Sequence, residues 1–312
     1  MTATPHPRRV IWRLIDGKPG HENQTLGLVQ AMQRQSDCRV IDIPVAPLRL
    51  TGWRALLSWL LRRFPRQPDW PAPDWIVAAG HATHWPLLCA QRACGGRTVV
   101  LMKPSLPLSW FDHVVVPEHD EVSGANVIST RGVLNPMRPG DKVPGSALAL
   151  VGGISKHFGW DNASVLRQLV TLREAWPGLR VTDSRRTPAA LREQLREAFG
   201  DACQPWEQCP PGWLAAQLAI TEVVWVSEDS VSMIYEALTA GCRTGLLELP
   251  ANAKPGRLVR GIQTLVAQGR VVRYSVWQSG EALPAGNGLR ESDRVAGHLL
   301  DSHPTVAVRS VT

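Results

Sequence analysis

Three kinds of residue in this 312-residue chain could hold an anion or move a proton, and they cluster at a few turns. One cluster is the stretch Ser-Glu-Asp-Ser-Val-Ser-Met-Ile-Tyr-Glu-Ala-Leu-Thr-Ala-Gly, from Ser227 to Gly241. An apolar, β-branched run at Val223–Val226 precedes it, which predicts a strand, a polar turn, and a helix that Ser230 caps and Gly241 stops. Glu236 follows Ser232 by four residues, so the two share a helix face. A carboxylate there can accept hydrogen bonds from neighbouring ribose hydroxyls. The helix-start amides, with Ser230 and Ser232, suit phosphate oxygens. The chemistry is that of a nucleotide site, opposed by one feature: Glu228 and Asp229 bring negative charge to the same helix start, so a diphosphate needs cations from other loops.

Two loops offer them. Gly152-Gly153-Ile154-Ser155-Lys156 follows an apolar run; it lacks the G-K-[ST] ending of a phosphate loop, but Gly152, Gly153, Ser155 and Lys156 could cradle an anion. Ser184-Arg185-Arg186-Thr187-Pro188 opens a helix with proline in its first turn, and Arg185 and Arg186 suit a diphosphate. Proton transfer points to Asp16-Gly17-Lys18-Pro19-Gly20-His21-Glu22-Asn23-Gln24, where His21 is the candidate general base and Asp16 or Glu22 its substitutes. Gly20 allows close backbone approach, and His81 and His119, each just after a strand, could contact an acceptor. Taken singly, every one of these residues also reads as a cap, a solvated turn or a locally satisfied histidine. Their joint occurrence at strand ends favours a site.

The elements that must position them alternate. In the first half, strands are predicted at Val10–Ile15, Arg39–Ile43, Trp75–Ala79, Thr98–Met102, His113–Val116 and Asn126–Ser129, with helices at Asn23–Arg34, Gly52–Phe64 and Trp85–Ala93. Asn135–Gly145 is dense in turn residues and reads as a linker. The alternation then restarts, with strands at Ala147–Val151, Leu179–Thr182, Val223–Val226, Thr244–Leu249 and Val271–Tyr274. Helices at Asn162–Trp176, Pro188–Phe199, Trp213–Ile220, Arg257–Gln268 and Leu289–Leu300 accompany them, and the last dozen residues carry no pattern. The expected fold class is α/β: two Rossmann-like, doubly wound domains, residues 1–140 and 141–312, facing a cleft that their strand ends line.

Composition narrows the partners. Hydrophobic residues make up 44% of the chain, and no apolar run approaches the length of a membrane span. The short N-terminus has no signal-peptide core, so a cytoplasmic location is expected. Six cysteines are scattered without a C-x-x-C pair, and no H-E-x-x-H occurs, so no metal site and no resident cofactor are expected. A net charge of +7 favours anionic partners. Nucleic acid is not among those expected, because the basic residues are dispersed and no DNA- or RNA-binding signature appears.

A helix from Gly52 carries Trp53, Leu56, Leu57, Leu60, Leu61 and Phe64 as one apolar stripe. Such a stripe is most often a core face, and that is the expectation here. The flanking Arg54, Arg62, Arg63 and Arg66 make peripheral contact with an anionic membrane the alternative.

The motifs around Asp16, Pro117, Ser184 and Glu228 together resemble the mitochondrial-fission Elm-like family, assigned to glycosyltransferases. A more distant similarity is to the MurG family, which adds a sugar to a lipid-linked precursor: Gly20 with His21, Gly152 with Gly153, and Glu236 with Gly241 match its motifs, while Asp16 and Pro19 replace glycines. The resemblance implies a GT-B fold and metal-independent transfer from a nucleoside-diphosphate sugar to a lipid-linked or cell-envelope saccharide. It implies that Gly152, Gly153, Ser155, Lys156, Arg185, Arg186, Ser230, Ser232 and Glu236 bind the donor, with Gly20, His81 and His119 on the acceptor side. The nucleotide sugar is then a substrate, and the enzyme would lie in the cytoplasm or at the inner face of the membrane. A nucleotide-sugar epimerase of the same fold and a non-catalytic membrane-associated scaffold are the alternatives.

Overall fold

The computed structural model describes residues 8–250 and 256–303; the first seven residues and the patternless end of the chain from 304 on lie outside the described residues. The chain divides into two compact units, Met1–Pro136 with Arg290–Thr312, and Met137–Leu289.

The first unit runs β1 (Arg9–Ile15), α1 (Pro19–Gln35), β2 (Cys38–Pro44), α2 (Gly52–Leu60), β3 (Trp75–Ala79), α3 (His84–Cys94), β4 (Arg97–Leu101), β5 (His113–Pro117) and β6 (Val127–Thr130). Its strands form one parallel sheet in the order β2-β1-β3-β4-β5-β6. Successive residues point to opposite faces: Ile11, Trp75, Val77, Val99 and Leu101 pack with α1, while Trp12, Leu14, Ile76, Ala78 and Val100 pack with α3. Helices cover both faces, which is why the strands read as continuous apolar runs. The order reverses between β1 and β3, and ligands of open α/β sheets bind outside the strand ends at such a switch point.

The second unit runs β7 (Val143–Leu150), α4 (Asn162–Ala175), β8 (Arg180–Thr182), α5 (Ala189–Phe199), β9 (Cys203–Gln204), α6 (Trp213–Ile220), β10 (Thr221–Ser227), α7 (Val231–Thr239), β11 (Arg243–Leu247), α8 (Arg257–Ala267), β12 (Val272–Arg273) and α9 (Tyr274–Gln278). Its parallel sheet has the order β12-β11-β10-β7-β8-β9, with the switch point between β7 and β10. Both units are therefore Rossmann-like, and the fold is of GT-B type. The predicted linker belongs in part to this unit: β7 begins at Val143, and Nζ of Lys142 donates to the carbonyls of Leu218 and Ala240.

Two expectations change. The final helix, α10 (Glu291–Ser302), was placed with the second domain; it packs on α1, where Val295, Ala296, Leu299 and Leu300 join Leu28 and Met32, and Arg34 binds Asp293 at 2.5 Å. Amphipathic periodicity shows that a helix needs a core, not which core receives it. The stripe on α2 is the second case, since Ala55, Trp59 and Phe64 turn inward while Trp53 (71% exposed), Leu56, Leu57, Leu60 (59%) and Leu61 face solvent. It is not a core face.

Candidate functional site

In the first unit the chemistry gathers at the carboxyl ends of β1, β3 and β4. The α1 helix begins at Pro19, four residues before the predicted start, because proline and glycine in a first turn forfeit no intrahelical hydrogen bond. Gly20 and His21 are thus helical. Nδ1 of His21 lies 2.8 Å from Oδ2 of Asp16, whose side chain is 1% exposed. Oδ1 of Asp16 also accepts from the Lys18 amide at 3.1 Å, so the carboxylate is held from both sides. With the Nδ1 proton directed at Asp16, the His21 Nε2 lone pair is the acceptor. Glu22 braces the loop by accepting from the Gly17 amide at 3.0 Å. The Asp16 side chain is buried and Glu22 is tied to the Gly17 amide, so of the three candidate bases His21 is the one whose second nitrogen is left to accept a proton.

Gly80, with φ +89°, follows β3; a Cβ there would collide with Nδ1 and Cε1 of His21 and stand 3.1 Å from Oδ2 of Asp16. Next to it, Nδ1 of exposed His81 lies 2.6 Å from Oγ of Ser105, and Nδ1 of buried His84 lies 3.2 Å from the same oxygen. Burial, then the nearby His81 and His21, pushes His84 down to about 4, so it stays neutral at ordinary pH. Ser105 was not singled out in the sequence, because it lies in a loop with no motif. His119 stands on a turn after β5, two strands from β3 in the sheet.

In the second unit the loops after β7 and β10 meet at the switch point, but they bind each other. The Gly152 amide donates to Oγ of Ser227 at 2.7 Å and the Gly153 amide to Oδ2 of Asp229 at 3.0 Å. The Ile154 amide donates to the carbonyl of Arg186 at 3.2 Å. A Cβ at Gly152 would collide with Asp229, and one at Gly153 with the Arg186 carbonyl. These glycines admit the protein's own side chain and backbone, which corrects the expectation that their amides cradle an anion. Ser155 accepts from the amides of His157 and Phe158, each at 3.3 Å, and so folds its own loop; Lys156 beside it is exposed.

The acidic pair at the helix start is also resolved. Asp229, with a side chain 0% exposed, pairs with Arg186 at 2.8 Å and accepts from Ser227 Oγ at 2.7 Å. Glu228 pairs with Arg273 at 3.0 Å and accepts from the Leu249 amide at 3.1 Å. Burial nevertheless pushes both carboxyls up, outweighing these partners. Their charge is matched within the unit, with Arg186 spent largely on Asp229. Arg185 is exposed on the same turn.

The α7 helix completes the site. Ser230 occupies the N-cap, is buried, and makes no side-chain cap bond, contrary to expectation; Ser232 is exposed. Gly241, with φ +77°, ends the helix. Glu236 is 6% exposed, and among the described residues neither of its oxygens meets a hydrogen-bond partner or a cation. Burial alone pushes its carboxyl up to about 7. A buried carboxylate without a partner is costly, and α7, the helix that follows β10, holds one that meets none among the described residues.

The sequence profile of the mitochondrial fission ELM1 family matches residues 19–302, which include His21 and the whole cluster of the second unit. The chain belongs to that family. No curated protein sequence matches it. Among solved structures, a protein from Listeria monocytogenes assigned as a UDP-N-acetylglucosamine 2-epimerase aligns over 95% of this chain and 96% of its own, with TM-score 0.55 and 9% identity. MurG of Acinetobacter baumannii aligns over 95% of this chain and 99% of its own, with TM-score 0.48 and 11% identity. The first of these likenesses supports the fold of this family member. Among the described residues no group of three His, Cys, Asp or Glu side chains is placed to hold a metal ion, and no helix is long and apolar enough to cross a membrane.

Proposed function

We propose that this chain transfers a sugar from a nucleoside-diphosphate donor, held by the second unit, to an acceptor hydroxyl deprotonated on the first. The observation that carries the reading is Glu236, a carboxylate with 6% exposure and no partner among the described residues. Ribose hydroxyls are donors that would satisfy it, and α7 points its N-terminus, with the unspent Ser230 hydroxyl, toward where a diphosphate attached to that ribose would lie.

In this reading His21 Nε2 takes the proton of the acceptor hydroxyl as its oxygen bonds to the anomeric carbon. The bond from that carbon to the diphosphate breaks, and the nucleoside diphosphate leaves with the electron pair. Arg185, Lys156 and the outer edge of Arg186 stabilise the charge that develops on it. Asp16 is a positioning residue that keeps the Nδ1 proton of His21 in place.

The test is thermal unfolding of the whole chain against a panel of nucleoside diphosphates and their sugars, repeated with Glu236→Ala. Saturating ligand at about a hundred times its dissociation constant adds roughly 2.7 kcal/mol, a rise of a few degrees. A rise with one nucleotide that the variant loses supports the reading; no rise with any nucleotide sinks it and favours a scaffold. Conversion of the donor without an acceptor would identify an epimerase.

A further inference from the structure

We infer that α2 and the arginine turn after it form a docking surface for an anionic lipid bilayer. On its outer face, Trp53, Leu56, Leu57, Leu60 and Leu61 are 71%, 46%, 46%, 59% and 52% exposed. Five large apolar side chains on barely more than two helical turns make a contiguous patch of the kind that marks an interaction site. The inward anchors of the helix are separate residues: Ala55 is buried, and Arg92 lies over the Trp59 ring at 5.1 Å. The outer face therefore contributes little to the core beneath it.

Charge decides the occupant. Between Gly52 and Pro68 there are four arginines, Arg54, Arg62, Arg63 and Arg66, and no acidic residue. Arg62 ends the helix in the left-handed region at φ +52°, and the Arg63 amide closes the last turn on the Ser58 carbonyl at 2.8 Å. This turn brings Arg62, Arg63 and Arg66 around an open pocket of about 540 Å³, with Ser58, Phe64 and Cys94 on its walls. A helix C-terminus carries roughly half a negative charge, which three guanidinium groups outweigh. A pocket of arginines beside a tryptophan and leucine patch matches a phosphodiester headgroup with its acyl chains alongside. A second copy docked face to face would bring arginine against arginine, which disfavours self-association.

The experiment is co-sedimentation of the full chain with vesicles of phosphatidylcholine alone, or of phosphatidylcholine with phosphatidylglycerol, at low and high salt. Two variants are compared, with folding checked by circular dichroism. Trp53→Ser/Leu57→Ser/Leu60→Ser removes exposed side chains only. Arg62→Gly/Arg63→Gln removes two charges, and glycine suits the left-handed position, so this chain keeps its fold. Binding to the anionic vesicles alone is expected, weaker in high salt. The first variant should lose at least about tenfold in affinity and the second about fivefold per arginine. Absent or equal binding to both vesicle types overturns the proposal, as does binding that neither variant changes. A dimer that the first variant dissolves would assign the face to a second copy and overturn it. Stabilisation by inorganic phosphate, lost in the second variant and without vesicle binding, would assign the pocket to a soluble anion and overturn it as well.

Discussion

Gly80 leaves open the space that the His21 imidazole fills: a side chain at its φ of +89° would collide with Nδ1 and Cε1 of the ring. The strand end after β3 thus fixes the position of a group on α1. Gly80→Ala should cost about 1–3 kcal/mol for the backbone alone. It should also displace His21, lowering turnover by about a hundredfold. The nucleotide-induced rise in melting temperature should survive, since the proposed nucleotide site lies on the other unit. Unchanged turnover would detach Gly80 from the chemistry.

Asp16 orients His21 from a buried position, 2.8 Å away. Asp16→Asn should lower kcat by about two to four orders of magnitude, because the amide no longer holds the Nδ1 proton in place. Nucleotide binding measured by calorimetry should be unaffected. A change confined to KM would contradict the positioning role.

Glu236 gives a linked pair of outcomes. Its carboxyl titrates at about 7 in the folded chain against an ordinary 4.5, so between those values the folded state holds a proton that the unfolded state has released. Stability from this group is therefore lost as pH rises through that window, by about 3 kcal/mol in all. Glu236→Gln removes the loss: matched denaturant titrations should show the variant nearly equal to the parent at the acid end and more stable above pH 7. The same substitution should weaken nucleotide binding. A variant that is less stable at alkaline pH would show that the carboxylate has an internal partner.

Asp229, the partner of Arg186, and the adjacent Arg185 should separate. Asp229 binds Arg186, Ser227 and the Gly153 amide, so Asp229→Ala should destabilise the second unit by about 2–4 kcal/mol, readable as a lower denaturation midpoint. Arg185→Ala, at an exposed position, should leave stability within about 0.5 kcal/mol and weaken diphosphate binding. Equal destabilisation by both would contradict this division of roles.

Much of the architecture was legible because buried parallel strands advertise themselves as apolar runs with polar turns at their ends. Val10–Ile15, Trp75–Ala79 and Val223–Val226 all fall in central strands, and the segments just after them contain His21, in the first turn of α1, His81 and Asp229. The illegible parts depend on partners distant in the chain. Gly152 and Gly153 look like an anion cradle until Ser227 and Asp229, about seventy-five positions later, take their amides. The stripe on α2 and the destination of α10 were ambiguous for a related reason: periodicity reveals an apolar face and is silent about what covers it. Glu236 was legible as a type and a position, whereas its lack of a partner among the described residues appears only in three dimensions.

The most direct measurement is a binding cycle with two nucleoside diphosphates, one carrying both ribose hydroxyls and one lacking them, against the parent chain and Glu236→Ala. If Glu236 holds the ribose, the parent should prefer the hydroxylated ligand by roughly tenfold to a hundredfold, and the variant should bind the two alike. A parent that binds both equally, or a variant that keeps the preference, would contradict the assignment of Glu236 and with it the donor site.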